Sequence, residues 1–278
     1  MIPVVRIGID DELAARLAAR TAQLTAAGAG TAAARAAWRS ARVEKAGIRD
    51  HLVRMAPGVQ RCMYCGDSLG TDIDHFEPIR EFPGGTFTWP NHLLACSFCN
   101  SNAKRDLFPR DAAGSPLLID PTRDDPAEHL RLVLRTGVYR PLTRKGTESI
   151  RVFGLNRADL TRGREVAFAT RAAVLCKADD FLVAGRAEEA GRYLRALAEE
   201  PHASVLHEML RASLLPGAVE VLGPDVMAAL GNRTLIEVLR PGAAQPPGPA
   251  QPPGPAQPPE PAQPPERTGP AAPAPRAP

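Results

Sequence analysis

Two cysteine pairs of identical spacing, Cys62-x-x-Cys65 and Cys96-x-x-Cys99, constrain this chain more than any other feature. Two intervening residues let both thiolates of a pair face one tetrahedral ion, and two such pairs complete a four-cysteine site. The roughly 50 residues that contain them are rich in Gly and Pro (Gly66, Gly70, Pro78, Pro83, Gly84, Gly85, Pro90) and offer little apolar surface to bury. Bound Zn2+ contributes about 10–16 kcal/mol of apparent free energy in small zinc peptides, so structural zinc is expected to supply the missing stability. Taken alone, the four cysteines define only a zinc ribbon. The fifth, Cys176, stands in an apolar helical stretch and reads as a small core residue; five is an odd number for a disulfide framework.

What lies inside and just beyond the cysteine pairs narrows the choice. Asp72-Ile73-Asp74-His75-Phe76-Glu77-Pro78 and Trp89-Pro90-Asn91-His92-Leu93-Leu94-Ala95 separate the pairs, and Asn100-Ser101-Asn102-Ala103-Lys104 follows the last cysteine. Here the sequence resembles the HNH endonucleases of the four-cysteine zinc-finger type. Their ββα-metal fold places an Asp-His pair on the first strand, an Asn between the strands, and a His or Asn at the start of the helix. The matching residues are Asp74-His75, Asn91 and Asn100, with Asn in place of the third His. A weaker likeness continues through Phe108-Pro109, Leu118-Ile119-Asp120-Pro121 and Leu155-Asn156-Arg157. That longer pattern is similar to HNH effectors of antiphage systems such as Septu, which work beside an ATPase.

The resemblance implies a role for each residue. His75 is the base, because an imidazole can take a proton from water near neutral pH. Asp74 and the side-chain oxygen of Asn100 are the ligands of a catalytic Mg2+ or Mn2+, which needs few protein oxygens. Asn91 orients His75 by a hydrogen bond. Lys104 and Arg105, on the finger helix, are candidates for phosphate contact, which positions nucleic acid without reading it. His92 is expected to point away and take no part, and Asp72 to serve a turn or support the site. The expected activity is hydrolysis of phosphodiester bonds in DNA, by nicking or double-strand cleavage. The alternative is a catalytically silent zinc module that binds nucleic acid or protein, for which Asp74 and His75 have no use.

Composition sets the frame. The chain has 278 residues, 44% apolar and 23% charged, with a net charge of +3, which tolerates a polyanionic partner without requiring one. Between Ser101 and Thr170, 13 Lys or Arg face 9 Asp or Glu, so a basic face is one reading and a solvated surface another. No apolar run approaches a membrane span, and the early acids Asp10, Asp11 and Glu12 do not suit a secretory signal; a cytoplasmic protein is expected.

The fold expected is α+β, a ββα-metal finger with structural zinc inside a mostly helical protein. Residues 1–57 read as helices around a Gly28-Ala29-Gly30 hinge, with Ala36, Ile48, Leu52 and Met55 as one stripe. Residues 58–110 form the nuclease finger. Residues 111–240 hold a β-hairpin over 130–135 and 138–142, then a helix capped by Asn156 and running to about Leu182. Further helices are expected over 187–198, 202–213 and 224–240, offering surface for an ATPase or sensor partner. Residues 241–278, with their Ala-Gln-Pro-Pro-Gly-Pro repeat, read as a disordered Pro-rich tail. His51, His129, His202 and His207 lack partners at metal spacing, and Asp120, Asp124, Asp125 and Glu128 read as turn caps.

Overall fold

Helices open the chain in the computed structural model, which describes residues 1–239. α1 (Asp11–Ala26) begins where the Asp10 carboxylate accepts from the Leu13 amide at 2.8 Å, and Asp11 and Glu12 meet the positive end of the helix dipole. The glycine hinge follows as expected, with Gly28 at a φ of 55°, and leads into α2 (Thr31–Ser40). A second break, at Ala41, has no mark in the composition; its ψ of 61° leaves the helical region and starts α3 (Arg42–Met55) in a new direction. α3 buries Glu44, Ile48, His51, Leu52 and Met55 along one stripe. Ala36, expected on that stripe, is exposed, because α2 does not continue the same helix. Glu44 is inside because Arg20 of α1 holds it at 2.9 Å.

The middle of the chain has the strand–strand–helix order expected of the finger. β1 (Asp72–His75) pairs antiparallel with β2 (His92–Ala95), setting Asp72 opposite Ala95 and His75 opposite His92. A short helix, Phe98–Lys104, follows. It is wide: the Arg105 amide donates to the Asn100 carbonyl five residues back at 2.8 Å, a π-type turn.

After the finger, α4 (Pro126–His129) precedes the hairpin of β3 (Leu130–Val133) and β4 (Val138–Pro141), each strand ending a residue or two earlier than expected. Gly137 turns it at a φ of 64°, and a Cβ there would lie 2.0 Å from the Thr161 carbonyl oxygen, so the turn admits no side chain. α5 (Arg144–Phe153) then precedes the long α6 (Ala158–Val183). Asn156 does not cap α6. Its amide accepts from the Tyr139 N–H and donates to the Tyr139 carbonyl, each at 2.8 Å, and so ties the hairpin to the helix start. Arg157 takes the cap position instead.

α7 (Ala187–Glu199), α8 (Ala203–Ala212), α9 (Ala218–Leu222), α10 (Pro224–Gly231) and α11 (Arg233–Leu239) complete the described chain. The single helix expected over 224–240 is two, broken at Asn232, whose amide reaches Asp179 on α6 at 2.7 Å. Segments 1–57, 58–110 and 111–239 share one core, running from Leu13, Ile48 and Leu52 through Leu93 and Leu94 to Leu118, Phe153 and Leu175. The fold is mostly helical with two small sheets, as the α+β expectation required. No helix among the described residues is long and apolar enough to cross a membrane. The Pro-rich tail expected over 241–278 lies outside the described residues.

Candidate active site and zinc centre

The four finger cysteines converge. All are buried, and their sulfurs lie within 4.8 Å of one another, with Cys65 and Cys96 Sγ 3.9 Å apart. Tetrahedral zinc with Zn–S near 2.3 Å sets its sulfurs about 3.8 Å apart, so the cluster fits zinc. The neighbouring thiols draw Cys65 well below the usual thiol range by donating hydrogen bonds to it, whereas burial pushes Cys62 up. Cys176 packs half-buried against the core, as expected.

β1 presents different chemistry on its two faces. Side chains alternate along a strand, so Asp72 and Asp74 share one face while Ile73 and His75 share the other. On the acid face, both oxygens of Asp74 are engaged: Oδ2 accepts from the Tyr64 hydroxyl at 2.5 Å and Oδ1 from the Lys104 ammonium at 3.0 Å. Lys104 also donates to the His75 carbonyl at 2.6 Å, and its side chain has no exposure. Burial, followed by the Asp74 charge, raises the Tyr64 phenol well above its ordinary range, and Tyr64 stacks on Phe153 at 4.0 Å. Asn100 turns instead to Asp72, donating to Oδ2 at 3.2 Å, with the Ser101 hydroxyl at 3.3 Å from the same oxygen.

Two expectations are corrected by this geometry. Lys104 does not reach out to phosphate; it is the buried counter-ion of Asp74. Arg105 remains exposed, its Nε on the Ser101 carbonyl. Asp74 and Asn100 are not joined as a pair of cation ligands, because Lys104 already balances the Asp74 charge and Asn100 is spent on Asp72. As arranged, the two do not fit a divalent ion.

On the other face, His75 lies among aromatic rings. Trp38 of α2 meets it edge-on with centroids 4.5 Å apart. His92, directly across the strand pair, is 4.9 Å away and stacks on Trp38 at 5.3 Å. His75 Nε2 is 2.9 Å, and His92 Nε2 3.0 Å, from the same Thr86 carbonyl oxygen. A carbonyl only accepts, so each ring carries its proton on Nε2 and leaves Nδ1 as a lone pair. Nδ1 of His92 is sealed without a partner among the described residues, whereas His75 keeps 8% exposure. Burial lowers the His75 pKa from 6.5 to about 4 despite the Thr86 bond, and the ring is neutral at physiological pH. Burial drives His92 well below its usual range too.

Asn91 does not touch His75, so its expected orienting bond is replaced by an indirect one. Its side chain accepts from the Glu77 N–H at 2.8 Å and donates to the carbonyls of Glu77 at 3.0 Å and Gly85 at 3.3 Å. It thereby fixes the loop whose next residue, Thr86, supplies the oxygen that holds both imidazoles. His92, expected to stand apart, sits at the centre of the site as a buried support, because Asn91 belongs to a helical turn and His92 begins the strand. Trp38 carries no sequence signal; only the Ala41 break brings α2 over the finger. Arg6 braces the same loop, donating to the carbonyls of Trp89, Pro90 and His92.

The remaining candidates behave as structural groups. Asp120 accepts from the Thr122 amide and hydroxyl, Asp124 pairs with Lys145 at 2.9 Å, and Asp125 caps α4. His51 reaches the Gly47 carbonyl, His129 lies beside the Thr143 hydroxyl, and His202 is 3.2 Å from Asp67.

Comparison with known proteins agrees with the finger. Residues 62–106 match the family model described as HNH endonuclease, so an HNH domain is present there. A relative, the Septu protein PtuB of Bacillus mycoides (strain KBAB4), is 29% identical over 148 residues, 42% of this chain and 49% of that protein. The chain thus spans about half the length of the curated relative it matches. No solved structure matches the chain.

Proposed function

We propose that this protein is an HNH endonuclease that hydrolyses phosphodiester bonds in DNA, with His75 as the general base. One observation carries the reading: the Nε2–H of His75 is committed to the Thr86 carbonyl, leaving an unprotonated Nδ1 on a neutral ring. A base must present its lone pair in the direction of the water it deprotonates, and a second hydrogen bond on the ring fixes that aim. Trp38 and His92 prevent the ring from tilting, and Asn91 holds the loop that supplies the fixing oxygen. The four-cysteine site, filled by zinc, ties the turn before β1 to the end of β2 and the finger helix. A divalent cation such as Mg2+ or Mn2+ would supply charge relief to the reacting oxygens, although Asp74 and Asn100 as arranged do not hold one. Its assignment to Asp74 and Asn100 requires Lys104 to release Asp74. A defence role beside an ATPase or sensor protein, in a cytoplasmic setting, is the biological reading that the likeness to a Septu protein supports.

A second reading, a zinc module that binds nucleic acid or protein without cutting, is favoured by the Lys104–Asp74 pair, which neutralises the expected cation ligand. Plasmid nicking in Mg2+, Mn2+ or EDTA, with wild type beside His75→Ala, separates the two. The nuclease reading expects metal-dependent cutting by wild type and a loss of about a hundredfold or more in the variant, with zinc content unchanged. Equal cutting by both proteins removes His75 as the base, and no cutting under any metal favours the silent module.

A further inference from the structure

From the surface of α3 we infer a phosphate-binding track for DNA, built by Arg42, Lys45 and Arg49 outside the HNH segment. The inference rests on the nuclease reading and adds to it the surface that delivers substrate. The three cations recur at i, i+3 and i+7, which sets them on one face of the helix. None forms an ion pair among the described residues, whereas Arg20 pairs with Glu44 and Arg35 with Asp106. Glu44, the acid of the same helix turn, is turned inward and consumed by Arg20.

The face is shaped as well as charged. Lys45 and Arg49 line a hollow of about 260 Å3 whose other walls are Trp38, Ala46, Thr71 and Ile73. Two of those walls belong to the active site: Trp38 packs against His75, and Ile73 lies on the same face of β1 as His75. The cationic heads are held in place. Arg49 Nη1 donates to the Thr71 carbonyl at 2.9 Å, and Lys45 Nζ donates to the Arg39 carbonyl at 3.3 Å while lying 5.8 Å from the Trp38 ring centroid. An ammonium has three donors and a guanidinium five, so each retains N–H groups for a phosphate oxygen. From Arg42 to Arg49 the helix rises about 10 Å, close to the length of three base steps at about 3.4 Å each. A solvated surface has no need of unpaired cations gathered in a hollow that shares its walls with a catalytic imidazole.

The test is DNA binding in EDTA, where cleavage is suppressed, measured by fluorescence anisotropy across a salt series. The probes are a short fluorescein-labelled DNA duplex and the corresponding single strand. Lys45→Gln/Arg49→Gln is compared with wild type and with Arg192→Ala/Arg195→Ala, which removes two charges from α7. Each phosphate contact contributes about 0.9 to the slope of log K against log salt on duplex DNA. The Lys45/Arg49 variant is expected to lose about 2 from that slope and at least tenfold in duplex affinity at low salt. The α7 variant should bind as wild type does, and melting temperature and zinc content should be unchanged in both surface variants. An unchanged slope in the Lys45/Arg49 variant, an equal drop in the α7 control, or no duplex binding by wild type overturns the track. Loss confined to the single strand overturns the duplex assignment. Plasmid nicking by wild type in the same preparations shows whether the nuclease reading survives when the track does not.

Discussion

Lys104→Met tests the most consequential buried interaction in the finger. The substitution keeps an unbranched apolar stem and deletes the ammonium that bonds Asp74 Oδ1 at 3.0 Å and the His75 carbonyl at 2.6 Å. Both side chains are essentially sealed from solvent, at 0% and 3% exposure, so water cannot replace the lost partner. The Asp74 carboxylate would keep only the Tyr64 hydroxyl. Removing one member of a buried pair costs about 3–5 kcal/mol, mostly because a charge is left behind. In a domain of this size that is a fall of roughly 6–20 °C in melting temperature. Asp74→Asn should cost a similar amount by stranding Lys104. The double variant, with neither charge, should be more stable than the sum of the single losses predicts, by at least about 2 kcal/mol. Thermal and urea melts of the four zinc-loaded proteins measure this cycle. A single-variant loss below about 1 kcal/mol, or strict additivity, would refute the claim that Lys104 serves as the internal counter-ion of Asp74.

Two further outcomes concern the metal centre and pH. Cys96→Ser, or zinc removal by a strong chelator, should abolish stoichiometric zinc and cost several kcal/mol of stability; elemental analysis and melts check it, and unchanged zinc in the variant would remove the four-cysteine assignment. His75 and His202 are each lowered by burial from 6.5 to about 4. Between those values the unfolded chain binds protons that the folded one refuses, so stability is full above about pH 6.5 and falls as pH drops toward 4. Each histidine should cost about 2 kcal/mol on going from about pH 7 to about pH 5. Urea midpoints at both pH values measure the fall, and His202→Asn should flatten it. A midpoint insensitive to pH in wild type contradicts the burial of these rings.

The finger was legible because its constraints are local. Cysteine spacing fixes a tetrahedral cluster regardless of what surrounds it, and the Gly- and Pro-rich texture announces a segment short of apolar packing. The Gly28 hinge followed from the same kind of evidence, whereas the strand–strand–helix order came from the resemblance to the HNH endonucleases. Side-chain partnerships inside the finger were not legible. Whether Lys104 faces solvent or Asp74 depends on a single extra residue widening the turn around Asn100, and no pattern in the sequence marks that. His92 was misplaced because strand alternation was applied to Asn91, which lies in a helical turn. The α2 contribution could not be foreseen at all: Trp38 reaches His75 only because an alanine, a good helix former, adopts a non-helical ψ at position 41. Asn156 shows the same limit, since its cap-like sequence position was overridden by the hairpin edge offered by Tyr139.

The roof that Trp38 makes over both imidazoles bears on how the finger can be dissected. A fragment beginning at the first cysteine pair would keep every metal-binding and family-matched residue, yet its paired histidines would face water on the side now closed by indole. The smallest fragment that keeps this arrangement therefore starts well upstream of the motif, before α2, because Arg6 braces the same loop. Grafting experiments or gene fusions that trim to the recognisable segment should yield a zinc-loaded but poorly aimed finger.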